Sequence, residues 1–212
     1  AVEAAGAQER FVQNIRAGGN RVTAGDVGFT YVVRALPGAG RGDVLYDMVC
    51  QDRGPGYADQ LRKGATSLAE AWDANPASSQ NHCMLGHAEE WLYRGLAGIV
   101  PDPAGPGFKR IVLRPQPVGE LTWVKAHYDS MHGRIGSHWR IADGRFVWEV
   151  TIPPNTAATV HVPTKDPAAV TEGGRPAQQA QGIRPLPAEK GKGVAAYEIQ
   201  SGNYRFAAPW GK

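Results

Sequence analysis

The stretch that decides the fold is residues 64–99, which read GATSLAEAWDANPASSQNHCMLGHAEEWLYRGLAGI. Residues 83–97 of this stretch carry apolar side chains at helical spacing and end in front of Gly98, so they predict an amphipathic helix. Residues 64–73 predict a short helix that a Thr or Ser caps. Both helices need an apolar partner, because an amphipathic helix cannot bury its own face.

Four further helices are predicted upstream of this stretch, and no strand pattern accompanies them. Helices without a sheet must bury their apolar faces against other helices. These few helices supply only part of a toroid of paired helices. We therefore expect the end of a larger helical domain that begins before residue 1. The predicted helices cover residues 2–17, 26–36, 41–51 and 57–62.

The composition changes near residue 101, where the segment PDPAGPG (101–107) predicts a linker or an elaborate turn. Beyond it, β-branched and aromatic residues alternate with polar ones, and short strands at this spacing favour an antiparallel β-sandwich. The predicted fold is thus an α+β chain with helices over 1–103 and a β-sandwich over 104–212. Residues 176–193 are polar and rich in Pro and Gly, which predicts a long loop. The strand candidates are 108–114, 121–129, 133–141, 144–152, 157–163, 169–175, 194–200 and 203–207.

Composition excludes several classes of protein. Hydrophobic residues make up 42% of the chain and charged residues 20%, which is ordinary for a globular protein and argues against disorder. The net charge of +3 is scattered and does not favour nucleic acid as a partner. No apolar run approaches the roughly 18 residues of a membrane helix. Cys50 and Cys83 are too few for a disulfide framework, and their apolar helical context predicts buried free thiols.

Two groups of residues could carry chemistry. Glu70 is a candidate general base, and the neighbouring Trp72 could raise the pKa of the carboxyl group or stack on a ligand. Asp73 belongs to the same candidate group, and the alternative is a solvated helix face with Trp72 in the core. His82 follows Ser79-Gln80-Asn81 at a predicted helix start, where it could hydrogen-bond a sugar hydroxyl or a water, or serve only as a cap.

A metal or nucleotide site is not expected. His87 and Glu90 share a helix face, but the spacing of five residues puts His82 off that face. The sequence also lacks the H-E-x-x-H, P-loop and G-x-G-x-x-G motifs. We therefore expect no metal and no cofactor.

Six segments, taken in order, resemble bacterial α-L-rhamnosidases of glycoside hydrolase family 78. The resemblance covers nearly the whole chain. It implies the last helices of an (α/α)6 catalytic barrel followed by a C-terminal β-sandwich, without the earlier helices and the preceding β domains. The segments are GATSLAEAWD (64–73), SQNHCMLGHAEEWLYRGLAGI (79–99), PGFKRIVLRPQP (106–117), LTWVKAHYDSMHGRIGSHW (121–139), IPPNTAATVHVP (152–163) and SGNYRF (201–206).

The resemblance also implies a reaction. The family removes terminal α-L-rhamnose with inversion: one acidic side chain protonates the leaving oxygen, and a second carboxylate activates a water on the opposite face. The Glu of the family's GAT-x-x-x-E motif falls on Glu70, which would be the general base. The His of its N-H motif falls on His82, which would hold sugar hydroxyls or the water. Trp72 and Tyr57 would form the pocket wall.

The sequence departs from the family pattern around the base. Ala69 and Ala71 stand where relatives usually carry Trp and Arg, which leaves open a related deoxy sugar as substrate. The family's general acid lies upstream of these motifs, and neither Asp26 nor Asp43 is assigned to that role.

The implied partners are a rhamnosylated glycoside as substrate and a protein surface that covers the exposed helix faces. That surface would be the missing N-terminal part of the parent enzyme or a second copy of the chain. The alternative is a non-catalytic carbohydrate-binding or structural sandwich with a helical appendage, in which Trp123, Trp139 and Trp148 stack on sugars. The alternation of Trp148 with Phe146 favours the core for both of these side chains.

Overall fold

The computed structural model describes residues 2–187 and 193–211, which form two compact units. The first unit ends at Trp91 and the second begins at Leu92. Helices are followed by a mostly antiparallel sheet, so the predicted α+β class is confirmed. None of the described helices is long and apolar enough to cross a membrane.

Helices make up the first unit, and the first four lie close to their predicted positions. Helices α2 and α3 pack against each other and bury Phe29, Val33, Leu36, Val44 and Leu45. The helices are α1 (Val2–Ala17), α2 (Asp26–Gly38), α3 (Gly42–Cys50), α4 (Tyr57–Arg62) and α5 (Ala88–Trp91), with a 3-10 turn at Cys83–Leu85.

The short helix predicted over 64–73 is wrong. This segment is irregular, and its backbone bonds to groups elsewhere in the chain. The carbonyl of Leu68 accepts from the amide of His82, and the amide of Glu70 donates to Ser79. These bonds replace the internal i to i+4 ladder that a helix requires.

The continuous helix predicted over 83–97 is also wrong, because three kinds of helix divide the segment. The carbonyl of Leu85 accepts from the Tyr57 hydroxyl. This side chain takes the place of the backbone amide that would bond to the carbonyl in a regular helix. The next amides, those of Glu89 and Glu90, bond three residues back. The α-helix is confined to α5, and a π-helix follows at Leu92–Ala97.

A nine-stranded sheet formed by the described residues dominates the second unit. Within the described part of the chain, the strand pairings are antiparallel except that of β2 with β5. The strands are β1 (Ile99–Pro101), β2 (Arg110–Leu113), β3 (Trp123–Ser130), β4 (Gly133–Ala142), β5 (Arg145–Pro163), β6 (Thr171–Glu172), β7 (Arg175–Pro176), β8 (Ile183–Pro185) and β9 (Val194–Pro209).

Two long strands replace four predicted short ones. The gap between the strands predicted over 144–152 and 157–163 is instead an irregularity inside β5, where the register against β9 shifts between Ile152 and Ala157. A bulge of this kind bends a strand without ending it. Conversely, the strand predicted over 169–175 is split by Gly173 and Gly174, which adopt positive φ between β6 and β7.

The loop predicted over 176–193 contains more structure than expected. A 3-10 turn covers Ala177–Gln179, and β8 pairs with β9. Residues 188–192 of this predicted loop lie outside the described part of the chain.

The core of the second unit is tied to the chain that enters the sheet. Trp139 Nε1 donates to the carbonyl of Leu96 over 2.7 Å, and Ser137 Oγ donates to that of Ala97 over 2.6 Å. Trp148 Nε1 then donates to Ser137 Oγ over 3.0 Å. Trp148 and Phe146 are fully buried, so the expectation that both face the core is confirmed.

The prediction of buried thiols is wrong for both cysteines. Cys50 ends α3 and Cys83 begins the 3-10 turn, and both residues are exposed. Met48 and Leu85 nearby are buried, whereas both cysteines, like Met84, fall on the exposed side of their segments.

Candidate functional site

Glu70 and His82 lie on the two limbs of a loop that folds back on itself. The amide of His82 donates to the carbonyl of Leu68 over 2.7 Å, and the amide of Glu70 donates to that of Ser79 over 2.8 Å. The amide of Ser79 in turn donates to Glu70 Oε2 over 3.3 Å. These bonds place the predicted base and the predicted sugar ligand on one scaffold.

A buried amide side chain holds the limb that carries Glu70. Gln60 lies in α4 and is 2% exposed. Its Nε2 donates to the carbonyls of Ala69 and Ala71 over 3.1 Å each, and its Oε1 accepts from the amide of Ala69 over 3.2 Å. The backbone on both sides of Glu70 is therefore fixed, while Glu70 itself is exposed to solvent.

A second anchor holds the same loop further along. Asp59 is fully buried and forms ion pairs with Arg62 at 2.6 Å and Lys63 at 2.9 Å. Lys63 Nζ also donates to the carbonyl of Asp73 over 2.9 Å. The hydrogen bond from Lys63 lowers the pKa of the Asp59 carboxyl despite its burial, and the bond from Arg62 adds to this effect.

His82 faces a carboxylate at the start of α2. His82 Nε2 lies 3.7 Å from Asp26 Oδ2, and the His82 side chain is 21% exposed. Asp26 Oδ1 also accepts from the amide of Val27 over 2.8 Å, which fixes the carboxylate. The pair can set the orientation of the His82 ring while leaving its exposed edge for a ligand.

Trp72 and Tyr57 are in contact with each other. Their ring centroids are 5.0 Å apart in an edge-to-face arrangement, and Phe29 packs on Trp72 at 5.1 Å and on Tyr57 at 6.0 Å. Trp72 Nε1 donates to the carbonyl of Ala24 over 2.8 Å. The polar atom of Trp72 is thus used within the fold, and only its ring surface could meet a ligand.

The Tyr57 hydroxyl is likewise used within the fold. It donates to the carbonyl of Leu85 and accepts from the amide of Ala88 over 3.4 Å. Burial raises the pKa of Tyr57 to about 12, so the phenol is neutral at pH 7. Its role is to hold the 3-10 turn and α5 against α4.

An open cleft of about 370 Å³ lies beside the loop. Of the predicted site residues, Tyr57 lines this cleft, and Glu70, His82 and Trp72 do not. The structure thus joins the predicted residues in two pairs: Glu70 with His82 through the loop, and Tyr57 with Trp72 through their rings. The remaining lining residues are Gln60, Leu61, Ala65, Thr66, Ser67 and Leu68.

The described residues contain no group of three or more His, Cys, Asp or Glu side chains that could hold a metal ion. The carboxylates nearest the loop are instead engaged with His82 or with basic side chains.

Comparison with known proteins gives the family. Residues 1–96 match the family model for the bacterial alpha-L-rhamnosidase 6 hairpin glycosidase domain, and residues 98–176 match that for the bacterial alpha-L-rhamnosidase C-terminal domain. The chain belongs to the bacterial α-L-rhamnosidase family. It matches the C-terminal part of these enzymes, and the two matched domains meet at residues 96–98.

Curated α-L-rhamnosidases match almost the whole chain. An alpha-L-rhamnosidase of Streptomyces avermitilis is 32% identical over 209 residues, which is 94% of this chain and 19% of the relative. An alpha-L-rhamnosidase of Formosa agariphila is 27% identical over 213 residues, or 96% of this chain and 23% of the relative. The chain therefore spans about a fifth of the length of these rhamnosidases.

Solved rhamnosidase structures share the fold. The Streptomyces avermitilis alpha-L-rhamnosidase complexed with L-rhamnose superimposes with a TM-score of 0.85 at 31% identity, covering 95% of this chain and 19% of that one. The native enzyme from Aspergillus terreus gives 0.81 at 25% identity, covering 98% of this chain and 22% of that one.

Three residues that support the candidate site were not predicted from the sequence. Gln60 lies one helical turn after Tyr57. Its position on the same side of α4 as Tyr57 is the one sequence feature that could have indicated its role. Phe29 supports the aromatic pair from the apolar stripe of α2. The approach of Asp26 to His82 depends on tertiary folding, and no local pattern predicts it.

Proposed function

We propose that this chain is the C-terminal part of an inverting glycoside hydrolase that removes terminal α-L-rhamnose, or a related deoxy sugar, and that Glu70 is its general base. The observation that carries the proposal is the arrangement around Glu70. Gln60 clamps the backbone on both sides of a carboxylate that remains exposed to solvent. A general base needs this combination, because it must be accurately positioned and still reach a water.

In the proposed reaction, the Glu70 carboxylate takes a proton from a water that attacks the anomeric carbon. A second carboxyl group, roughly 6.5–9.5 Å from the base in inverting enzymes, protonates the leaving oxygen. We assign that acid to a part of the parent enzyme outside this chain, since Asp59 is buried in ion pairs and the Asp26 carboxylate faces His82.

His82 is proposed to hold a sugar hydroxyl or the attacking water. The neighbouring Asp26 carboxylate, 3.7 Å from Nε2, orients the ring, and the backbone bond to Leu68 ties His82 to the limb that carries Glu70. Trp72 and Tyr57 are proposed to supply the apolar wall that a 6-methyl group of rhamnose would favour. Their polar atoms bond to backbone groups, so only their ring surfaces remain for contact.

The architecture proposed for the parent follows from the same family. The helices up to residue 103 would complete an (α/α)6 barrel, and residues 104–212 would form a β-sandwich. Val27 and Tyr31 are each 68% exposed and lie one helical turn apart on α2. Preceding helices of the parent, or a second copy of the chain, would cover these side chains.

The test uses two proteins: the 212-residue chain, and a chimera in which it replaces the matching C-terminal fifth of the Streptomyces avermitilis relative. Aryl α-L-rhamnoside hydrolysis is measured for both. We expect turnover by the chimera and none by the chain alone, because the chain lacks the acid. Glu70→Gln in the chimera should lower kcat by about 10²- to 10⁴-fold.

The matched control is Glu89→Gln, which changes an exposed carboxylate in the first turn of α5 and should leave kcat unchanged. Wild-type kcat in the Glu70→Gln chimera contradicts the proposal. So does a folded chimera that does not hydrolyse the substrate.

A further inference from the structure

The sheet of the second unit presents a polar face to solvent on the side opposite its core. Alternate residues of β3, β4, β5 and β9 lie on this side, which we call the outer face. One row crosses all four strands by direct pairing: Lys125 pairs with His138, His138 with Glu149, and Glu149 with Arg205. The row therefore contains two cationic side chains, one carboxylate and one imidazole.

An exposed tryptophan stands on this polar face. Trp123 is 62% exposed, whereas Trp139 is 2% exposed and Trp148 is fully buried. Trp123 pairs with Arg140 and lies two residues before Lys125 on β3, which is about 6.8 Å along the strand. The spacing between Trp123 and Lys125 along β3 is thus comparable to the length of one sugar unit.

The outer face contains a groove of about 450 Å³ that part of this row lines. Gly136 lines the groove, and a Cβ at this position would approach the Thr151 Cβ to 3.1 Å. Thr151 Oγ1 donates to Asn203 Oδ1 over 2.9 Å, which fixes the Asn203 amide at the groove wall. His138, Glu149 and Arg205 also line the groove.

The polar groups of the groove have capacity for a ligand. Arg205 Nε lies 4.0 Å from Glu149 Oε1, which is too far for a direct hydrogen bond, and both side chains are more than half exposed. Burial, followed by the nearby Lys125, lowers the pKa of His138. The ring is therefore neutral at pH 7 and offers one donor and one acceptor.

We propose that this outer face is a second carbohydrate-binding site, in which Trp123 stacks on one sugar of a neutral glycan chain while His138, Glu149 and Arg205 bind hydroxyls of its neighbour. An aromatic plane beside mixed donors and acceptors fits a sugar ring, which has apolar C–H faces and polar edges. The charges of Lys125 and Arg140 add to that of Arg205, but carboxylates offset them, so the face suits a neutral chain better than a polyanion.

This site goes beyond the proposed function, since it needs neither Glu70 nor His82. The proposed function guides only the choice of a rhamnose-containing probe. Of the alternatives left open by the sequence, it retains the sugar-stacking role for Trp123 and discards it for the two buried tryptophans.

The test is an NMR titration of the ¹⁵N-labelled 212-residue chain with a neutral α-L-rhamnotetraose, following the indole N–H signals of its six tryptophans. We expect the Trp123 signal, assigned by its loss in Trp123→Phe, to shift with saturation, while those of Trp139 and Trp148 stay in place. Backbone signals then show that Trp123→Ala raises Kd by about tenfold or more, whereas Trp123→Phe retains most of the affinity.

Tyr31→Ala is the matched control, because it removes an equally exposed aromatic side chain from α2 and should leave Kd unchanged. Glu70→Gln should also leave Kd unchanged, which separates this site from the proposed active site. The proposal is overturned if the tetraose does not shift the Trp123 signal, if Trp123→Ala and Tyr31→Ala bind alike, or if a single-stranded RNA shifts the signal and the tetraose does not.

Discussion

Gln60 and Ala69 are joined by two reciprocal hydrogen bonds: Gln60 Nε2 donates to the Ala69 carbonyl, and the Ala69 amide donates to Gln60 Oε1. The side-chain amide thereby pairs with the loop backbone as another peptide group would in a sheet. The same Nε2 reaches the Ala71 carbonyl, so a single buried residue defines the conformation on both sides of Glu70.

Gln60→Ala is expected to lower the free energy of unfolding by about 2 kcal/mol, because it leaves buried backbone groups of Ala69 without partners. Urea denaturation of the 212-residue chain measures this change. Gln13→Ala is the control, since Gln13 is exposed on α1 and bonds only to the exposed Glu9 side chain; its effect should stay within about 0.5 kcal/mol. Equal effects of the two variants would contradict the clamp.

Ser137→Ala is expected to destabilise the second unit by about 1–3 kcal/mol. The hydroxyl accepts from Trp148 Nε1 and donates to the carbonyl of Ala97, so its removal leaves two buried groups unpaired. Tryptophan fluorescence in urea follows the loss. Ser201→Ala, at an exposed position of β9, should change stability by less than about 0.5 kcal/mol.

The Asp59 ion pairs predict a dependence of stability on acid pH. The folded state lowers the pKa of this carboxyl group, so the stabilisation is complete above the unfolded pKa of about 3.9 and is lost as the pH falls through the lower folded value. Thermal unfolding between pH 7 and pH 2 should show that Asp59→Asn starts less stable and then loses less on acidification than the unmodified chain.

Asp129→Asn is the control for this pH experiment. Asp129 pairs with Arg134 at the surface, where solvent screens the interaction. Its removal should leave the acid dependence almost as it is in the unmodified chain, and an Asp59→Asn profile parallel to that of Asp129→Asn would show that the buried pairs do not act as described.

Both cysteines are expected to react with a disulfide reagent without denaturant, because both residues are exposed. Burial of the sulfur nevertheless raises the pKa of the Cys50 thiol, which lowers its thiolate fraction at neutral pH. In a Cys83→Ser variant, Cys50 should therefore react several-fold more slowly in the native chain than in urea. A native rate equal to the rate in urea contradicts this assignment.

Local sequence patterns predicted the elements that depend on local periodicity. Helices α1 to α4 and the burial of Phe146 with Trp148 follow from the spacing of apolar residues, because this spacing puts the apolar side chains on one face. The patterns failed where a group distant in sequence forms a hydrogen bond with the backbone. Tyr57 occupies the Leu85 carbonyl and interrupts the helix predicted over 83–97, and no periodicity encodes a contact 28 residues apart.

The candidate site divides in the same way. Residue types single out Glu70 and His82 as candidates, and the family resemblance implies their roles. Their shared loop is not predicted, because it depends on bonds between positions such as 68 and 82. Gln60 could not be recognised as a clamp, since its partners are backbone groups that carry no side-chain signature. Roles that depend on contacts between distant segments can be recognised only in the folded structure.

The most direct measurement of the central claim is chemical rescue of a Glu70→Ala chimera by azide, with the product identified by NMR. Azide needs no base to deprotonate it and can occupy the position of the attacking water. If Glu70 is the base of an inverting rhamnosidase, the variant loses hydrolysis of an activated aryl α-L-rhamnoside and gains azide-dependent turnover that yields the β-L-rhamnosyl azide. Unimpaired hydrolysis by Glu70→Ala, or an azide adduct of α configuration, would contradict the account.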